Sequence, residues 1–191
     1  MAESEKPSVR SQEVVHFKGS CACARISYQC SGLPNSPRSI TACHCVTCRK
    51  VSGGPYQAYV DVQASSLKFF DHKEALQYEG LPKDNMGGII FIRFSKVGER
   101  AYCATCNTPL AMRYKIEMDV TALALGAVDE DSLTPAAREA LRLTTHIFTS
   151  QKAWWLDIKD DGLIKHDRFK GDFETKMLQY ESESDGGERK A

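Results

Sequence analysis

The sequence has no excess of charge of either sign and no long hydrophobic run. Its 25 basic and 25 acidic side chains give a formal net charge of +0. It therefore lacks the basic surface expected of a protein that binds nucleic acid or an anionic membrane. No apolar stretch approaches the ~20 residues that a membrane-spanning helix needs. We expect neither nucleic acid nor a membrane among the partners.

The first 15 residues also lack the apolar core of a secretory signal. A chain without such a signal stays in a reducing compartment, where thiols remain free, so we expect the protein in the cytoplasm and also in the nucleus. Residues 1–12 and 176–191 are polar and are predicted to be tails, with disorder in 1–12 and 181–191. The folded domain is predicted over residues 13–175.

Cysteine, in contrast, is abundant. Of the eight cysteines, seven occur in three short clusters. The clusters are Cys21 and Cys23; Cys43, Cys45 and Cys48; and Cys103 and Cys106. Thiols separated by one or two residues are typical of sites for a soft cation such as Zn²⁺. Disulfides are the alternative interpretation, which a reducing compartment disfavours.

Short segments rich in β-branched and aromatic residues predict a mostly β fold with little helix. Strands are expected at residues 14–17, 25–30, 39–42, 56–62, 67–70, 76–78, 89–95, 100–103, 110–114 and 120–127. One helix is predicted over residues 135–142, because Thr134 suits the N-cap and Pro135 the first helical position. This helix belongs to an insert at residues 128–145, to which we assign no function.

The first and last clusters together supply four thiolates. Cys21, Cys23, Cys103 and Cys106 can close a tetrahedral zinc site that connects distant parts of the sheet. Zinc binding would then contribute directly to folding. A thioredoxin-like redox pair is the alternative for the last two cysteines, but that motif belongs in a βαβ unit, which this segment lacks.

The middle cluster supplies three thiolates, from Cys43, Cys45 and Cys48, and leaves a fourth position open. Candidates for that position are Cys30, His44, water and a substrate thiol. Cys30 alternates with apolar residues along its strand and is interpreted as a core residue. His44 lies between two ligands and would point away from the metal in an extended segment, so we expect it to support the site or lie on the surface.

The ligand type indicates the chemistry. Three thiolates give a bound Zn²⁺ a net charge of −1, which makes it a poor Lewis acid for water activation. A thiol entering the fourth position would be deprotonated. The middle cluster therefore favours activation of a thiol for attack on a small electrophile.

Five segments in this order resemble the glutathione-dependent formaldehyde-activating enzyme family, of whose superfamily centromere protein V is a member. They are Gly19–Cys23, Cys43–Lys50, Tyr102–Leu110, His146–Phe148 and the pair Trp154 and Trp155. The resemblance covers about residues 14–170. Asn107 stands where a glycine is common, and since asparagine tolerates a left-handed turn, we expect the turn to be kept.

The resemblance implies a β-tent fold of twisted antiparallel sheets with two zinc ions per chain. It implies a structural zinc on the four-cysteine cluster and a catalytic zinc on Cys43, Cys45 and Cys48. It also implies a carbon–sulfur lyase activity of the S-(hydroxymethyl)glutathione synthase type, with a glutathione-like thiol and a small aldehyde such as formaldehyde as substrates.

Several residues keep more than one interpretation. Arg49 and Lys50 follow the middle cluster and would bind the carboxylates of a peptide thiol, or else form solvated surface. We expect one of Trp154 and Trp155 in the core. The acidic residues near Asp161 are interpreted as a solvated turn.

Two other functions compete with the enzyme. One is a non-catalytic, zinc-stabilised protein-binding module, which would have no need for an incomplete metal shell. The other is a chromatin protein like centromere protein V, which would want a basic extension that this neutral chain lacks.

Overall fold

The computed structural model describes residues 14–34, 40–169 and 171–188 of the chain. These residues form twelve β-strands in two sheets and three α-helices, so the predicted mostly β fold is confirmed. The first sheet has four antiparallel strands in the order β1, β2, β5, β6. Their bounds are β1 Phe17–Ser20, β2 Ile26–Cys30, β5 Leu67–Asp71 and β6 Leu76–Glu79.

The second sheet has eight strands in the order β12, β11, β3, β4, β10, β9, β8, β7. Their bounds are β3 Ile40–Cys43, β4 Gln57–Gln63, β7 Ile89–Arg93, β8 Gly98–Cys103, β9 Pro109–Tyr114, β10 Glu117–Ala124, β11 Thr145–Ile147 and β12 Ile164–Lys165. The expected antiparallel pairing holds except at one edge, where β11 runs parallel to both β3 and β12. Parallel neighbouring strands require a long connection between them. The insert at residues 128–145 is part of the connection between β3 and β11.

The three α-helices are α1 Val46–Ser52, α2 Pro135–Ala140 and α3 Phe173–Glu188. Helix α2 was predicted, and the Thr134 side chain accepts a hydrogen bond from the Ala137 amide as the cap requires. Helix α1 was not predicted. Disorder was expected from residue 181 onward, but helix α3 continues as far as Glu188. The predicted tail at residues 1–12 lies outside the described residues.

Two clusters of buried side chains form the core. The larger lies around Phe17, Tyr28 and Phe69, none of which is exposed to solvent. The smaller surrounds Cys43 and Cys48 and is made mainly by the second sheet. The middle cysteines are therefore packed among apolar side chains, where electrostatic interactions are stronger than at the surface.

Neither tryptophan belongs to these clusters, contrary to expectation. Trp154 is 91% exposed and Trp155 is 57% exposed. Both follow a one-turn 3-10 helix, Thr149–Gln151, in a connection that lies outside the sheets. The prediction rested on the apolar character of the indole ring. It was wrong because no strand or helix carries these side chains into the core.

A buried ion pair joins the first sheet to the loop before β7. Arg25 donates from Nε and Nη2 to the Asp71 carboxylate at 3.2 and 3.0 Å, and the Gly88 amide donates to the same carboxylate at 2.6 Å. Burial raises the pKa of Asp71, but the hydrogen bonds from Arg25 and Gly88 outweigh burial and the pKa is lowered. Arg25 also donates from Nη1 to the Thr105 hydroxyl at 3.1 Å, next to the last cysteine pair.

Candidate metal centre

The sulfur atoms of Cys21, Cys23, Cys103 and Cys106 lie within 4.8 Å of one another. Cys21 and Cys23 come from the turn between β1 and β2, whereas Cys103 ends β8 and Cys106 lies in the turn that follows. The two pairs therefore bring together a turn of the first sheet and a turn of the second. The chain folds as the four-cysteine prediction requires.

Left-handed residues shape both turns. Ala24 and Asn107 each have φ 58°, so Asn107 adopts the conformation predicted for it. The Asn107 amide donates to the Cys103 carbonyl at 2.9 Å, and the Thr105 amide donates to the Cys103 sulfur at 3.4 Å. The Ile26 amide likewise donates to the Cys21 sulfur at 3.2 Å. Amide donors directed at sulfur stabilise a thiolate and orient it for a cation.

The sulfur spacing fits a tetrahedral zinc ion. Sulfurs at about 2.3 Å from a central Zn²⁺ lie about 3.8 Å apart along the edges of the tetrahedron. The Cys23 and Cys103 sulfurs are 3.8 Å apart, and the Cys21 and Cys23 sulfurs are 3.5 Å apart. Burial raises the pKa of the Cys21 thiol, and a cation bound among the four sulfurs would favour its thiolate form.

The second cluster is local. Cys43 ends β3, Cys45 caps helix α1 and Cys48 lies in its first turn. The Cys45 sulfur accepts a hydrogen bond from the Cys48 amide at 3.3 Å. Sequence reasoning treated this segment as extended, because cysteine is not among the residues that usually cap helices. The helical turn is what directs the third sulfur towards the other two.

Three sulfurs, from Cys43, Cys45 and Cys48, converge within 4.8 Å of one another. Hydrogen bonds from Cys43 and Cys48 lower the pKa of Cys45, whereas the hydrogen bond to Cys45 raises the pKa of Cys43. Three thiolates suit Zn²⁺ with one position left for another ligand.

Neither protein candidate for the fourth ligand joins these three sulfurs in the part of the chain that the structure describes. Cys30 is fully buried, as predicted, and lies in the larger core cluster. Its sulfur donates to the Gly32 carbonyl at 3.3 Å and lies 3.6 Å from the Ser66 hydroxyl. The incomplete metal shell predicted for this cluster therefore agrees with the described residues.

His44 is likewise not part of the three-sulfur cluster in the described residues, and it is fully buried rather than at the surface. Its Nε2 lies 2.8 Å from Nδ1 of His146, and Nε2 of His146 lies 2.9 Å from the Asp161 carboxylate. From the sequence alone, Asp161 is interpreted as part of a solvated turn. In the structure its carboxylate is also a hydrogen-bond partner of His146. These two hydrogen bonds hold the imidazole ring of His44, the residue between Cys43 and Cys45 in the sequence.

This arrangement follows from the parallel pairing of β11 with β3, which places His146 beside Ala42. The His44 amide donates to the Ile147 carbonyl at 3.0 Å and continues the same ladder. Backbone hydrogen bonds and the contact between the two histidine side chains therefore hold the loop that carries the cysteines against β11. The sequence contained the two histidines but no indication that they meet.

Arg100 is a second residue that sequence reasoning missed. It lies within β8, is 9% exposed, and donates from Nη2 to the Cys48 sulfur at 3.7 Å. It also interacts with Tyr59 and lies 5.4 Å from the centre of the Phe94 ring. A buried guanidinium beside three thiolates offsets part of their negative charge. No short motif around Arg100 indicates this contact.

Arg49 and Lys50 lie on helix α1, where Arg49 is half-buried and Lys50 is exposed. Arg49 Nε is buried and makes no hydrogen bond within the described residues. Both side chains are close in sequence to the three cysteines, but neither lines the cavity next to them. Their contact with a substrate stays a prediction.

That cavity has a volume of about 130 Å³ and is bordered by Cys43 and Cys48. Its other walls come from β3, β4, β9, β10 and β11 and from Phe169 and Phe173 near the C-terminus. Two of the three cysteines, Cys43 and Cys48, thus border a small cavity that is partly open to solvent. A ligand held at the cluster would border this space.

No helix in the described part of the chain is long and apolar enough to cross a membrane.

Comparison with known proteins agrees with this geometry. The model of the glutathione-dependent formaldehyde-activating enzyme family matches residues 16–151, which is most of the chain and includes all seven clustered cysteines. A crystal structure of a Rhodobacter sphaeroides protein is similar, with a TM-score of 0.46 and 15% identity, over 66% of this chain and 97% of that chain. The comparison with curated protein sequences gives no match. The chain belongs to the glutathione-dependent formaldehyde-activating enzyme family.

Proposed function

We propose that the protein is a zinc-dependent enzyme of the carbon–sulfur lyase class that joins a glutathione-like thiol to a small aldehyde such as formaldehyde. The observation that carries the proposal is the cluster of Cys43, Cys45 and Cys48, which has three sulfurs and opens onto a cavity. A purely structural site would gain from a fourth protein ligand, as the other cluster has. Membership of the family supports the same chemistry.

Cys43, Cys45 and Cys48 would hold the catalytic zinc, and the other four clustered cysteines would hold the structural one. A zinc ion held by three thiolates would supply the chemistry of keeping a substrate thiol deprotonated at neutral pH. In the reaction the thiolate sulfur adds to the carbonyl carbon, a carbon–sulfur bond forms, and the former carbonyl oxygen takes up a proton. The product with glutathione and formaldehyde is S-hydroxymethylglutathione.

The protein's own residues contribute position and charge. Arg100 donates to the Cys48 sulfur and lowers the accumulation of negative charge at the cluster. His44 and His146 hold the loop between Cys43 and Cys45 in place. We assign to Arg49 and Lys50 the binding of the thiol's carboxylates outside the cavity, because the cluster lies at the start of their helix.

The experiment compares three proteins loaded with zinc: wild type, Cys45→Ser and the control Cys30→Ala. We expect two zinc ions in wild type and in the control, and one in Cys45→Ser. Wild type and control should form S-hydroxymethylglutathione faster than the uncatalysed reaction, measured by NMR exchange. A wild-type protein with two zinc ions and no acceleration would contradict the proposal.

Ligation of the thiol has its own measurement. With cobalt in place of zinc, added glutathione should produce a new sulfur-to-cobalt absorption in wild type and Cys30→Ala. The same addition should leave Cys45→Ser unchanged. An unchanged wild-type spectrum would exclude thiol binding at the cluster.

The competing function, a protein-binding module, has one observation in its favour. Trp154 and Trp155 are adjacent and exposed, and exposed aromatic side chains are enriched in protein interfaces. The kinetic comparison above separates the two functions, since a binding module would not accelerate adduct formation.

A further inference from the structure

The cavity beside the three cysteines is larger and more apolar than formaldehyde requires. Its walls are dominated by carbon, with aromatic, methionine and isoleucine side chains on most sides. These residues are Tyr59, Met112, Tyr114, Ile147, Phe169 and Phe173. An apolar cavity of about 150 Å³ is sufficient to hold a benzene molecule. The cavity here, at about 130 Å³, is of similar size.

The charged residues of the cavity do not suit glutathione. Asp61 and Glu117 are among the lining residues, and acidic side chains there disfavour the two carboxylates of the tripeptide. Arg113 also lines the cavity, but its guanidinium donates to Glu99 at 2.7 Å and to backbone carbonyls such as that of Pro82 at 2.8 Å. A group in this cavity would have to be uncharged.

We propose that the cavity receives the substituent of the aldehyde, so that the physiological electrophile is an aldehyde with a compact apolar group of about six carbons. The assignment rests on the proposed function, because it takes the thiol to be held at the three cysteines. Formaldehyde carries no substituent and would leave the apolar walls without contacts. The bonds formed are the same as with formaldehyde: sulfur adds to the carbonyl carbon, and the oxygen takes up a proton to give a hemithioacetal.

Residues near the C-terminus complete the walls. Phe173 lies at the start of α3, with its ring centre 4.8 Å from that of Tyr114 and 5.0 Å from that of Phe169. Phe169 in turn packs edge-on against Phe148 at 4.7 Å. Because Phe173 is only half-buried, replacing it should open the cavity without disturbing the sheet.

The test uses the zinc-loaded protein, glutathione and two aldehydes, formaldehyde and phenylacetaldehyde. We expect wild type to accelerate adduct formation with both. Phe173→Ala should lower kcat/KM for phenylacetaldehyde by about tenfold, the change expected from losing one aromatic contact, and leave formaldehyde nearly unaffected. The control Leu178→Ala changes an apolar residue of the same helix that is 60% exposed and should alter neither rate.

A second variant fills the cavity from the larger sheet. Ala122 on β10 is 8% exposed and lines the cavity, so Ala122→Leu should exclude phenylacetaldehyde and still accept formaldehyde. Binding of unreactive benzyl alcohol, followed by ligand-observed NMR, gives a readout that does not depend on turnover. It should bind wild type and Leu178→Ala, and should bind Phe173→Ala more weakly. If Ala122→Leu does not fold, the Phe173→Ala comparison decides alone.

The outcomes separate this inference from the proposed function. Acceleration with formaldehyde but not phenylacetaldehyde, together with no binding of benzyl alcohol, overturns the aldehyde assignment and leaves the proposed function in place. Acceleration with neither aldehyde, with zinc bound, overturns the proposed function and the assignment with it. Equal losses for both aldehydes in Phe173→Ala also overturn the assignment, because they would show a general effect on the site.

Discussion

Replacing one cysteine in each cluster separates the effect of metal from the effect of burial. Cys106 is half-buried, whereas Cys48 is only 2% exposed. If burial determined stability, Cys48→Ser would lower the free energy of unfolding more than Cys106→Ser, since it places a hydroxyl in an apolar setting. If metal binding determines stability, Cys106→Ser should lower the free energy of unfolding more, because its cluster joins turns from two sheets.

The size of the difference follows from loop closure. Cys23 and Cys103 are separated by 80 residues, whereas the middle cluster spans Cys43 to Cys48. With a cost of (3/2)RT ln n, closing the longer loop in the unfolded chain is more expensive by about 2.5 kcal/mol. The burial cost at Cys48 acts in the opposite direction. With zinc bound, Cys106→Ser should therefore lower the free energy of unfolding more than Cys48→Ser does, by up to about 2.5 kcal/mol.

Urea unfolding at equal zinc supply measures both variants, with the zinc content of each determined separately. Cys30→Ala, at a buried cysteine outside both clusters, is the control. After chelation the order should reverse, since only burial then distinguishes the two positions. Equal losses with zinc bound, or a larger loss for Cys48→Ser, would refute the division into a structural and a catalytic cluster.

Three further results are expected. Cys30→Ala should cost about 1 kcal/mol or somewhat more in unfolding free energy and keep both zinc ions, and loss of one zinc equivalent would make Cys30 a ligand. Asp71→Asn should cost about 1–3 kcal/mol at neutral pH, because it removes the buried carboxylate that accepts from Arg25 and leaves Arg25 only its ion pair with Glu74. The pKa of Asp71 is lowered in the folded protein, so its contribution is complete above its ordinary value of 3.8 and is lost as pH falls below it. The difference between wild type and Asp71→Asn should therefore shrink in acid, and a constant difference would contradict this. His146→Phe should cost about 1–3 kcal/mol, because it leaves Nε2 of His44 buried without a partner. Zinc content should be unchanged in that variant, and a melting temperature equal to that of wild type would refute the role of His146.

The sequence predicted the parts of the site that depend on local spacing. Cysteines one or two residues apart need only a tight turn to converge, so each short cluster could be recognised without knowing the fold. That the first and last pairs share one site followed from the ligand count, four thiolates for a closed zinc site, and not from local spacing. Helix α2 was predictable for the same reason, since Thr134 and Pro135 specify its first turn. Helix α1 was missed because its cap is Cys45, whose sulfur replaces the usual oxygen.

Contacts between distant residues could not be predicted in this way. His44 and His146 are 102 residues apart, and they meet only because β11 pairs with β3 in parallel. Arg100 faces Cys48 because of the order of strands in the larger sheet, which no short motif encodes. The cavity depends on Phe169 and Phe173, which the sequence pattern placed at the limit of the domain.

Strand β8 connects the two cysteine clusters. Its last residue, Cys103, belongs to the four-cysteine cluster, and three residues earlier Arg100 donates to Cys48 of the other cluster. All six residues of β8 are buried, so the strand has little freedom to move between these two contacts. A cation at the four-cysteine cluster that fixes the end of β8 would therefore also fix the guanidinium beside the open cluster. Under the proposed function, a metal at the four-cysteine cluster would thus influence the charge environment of a metal at the three-cysteine cluster, through three residues of a single strand.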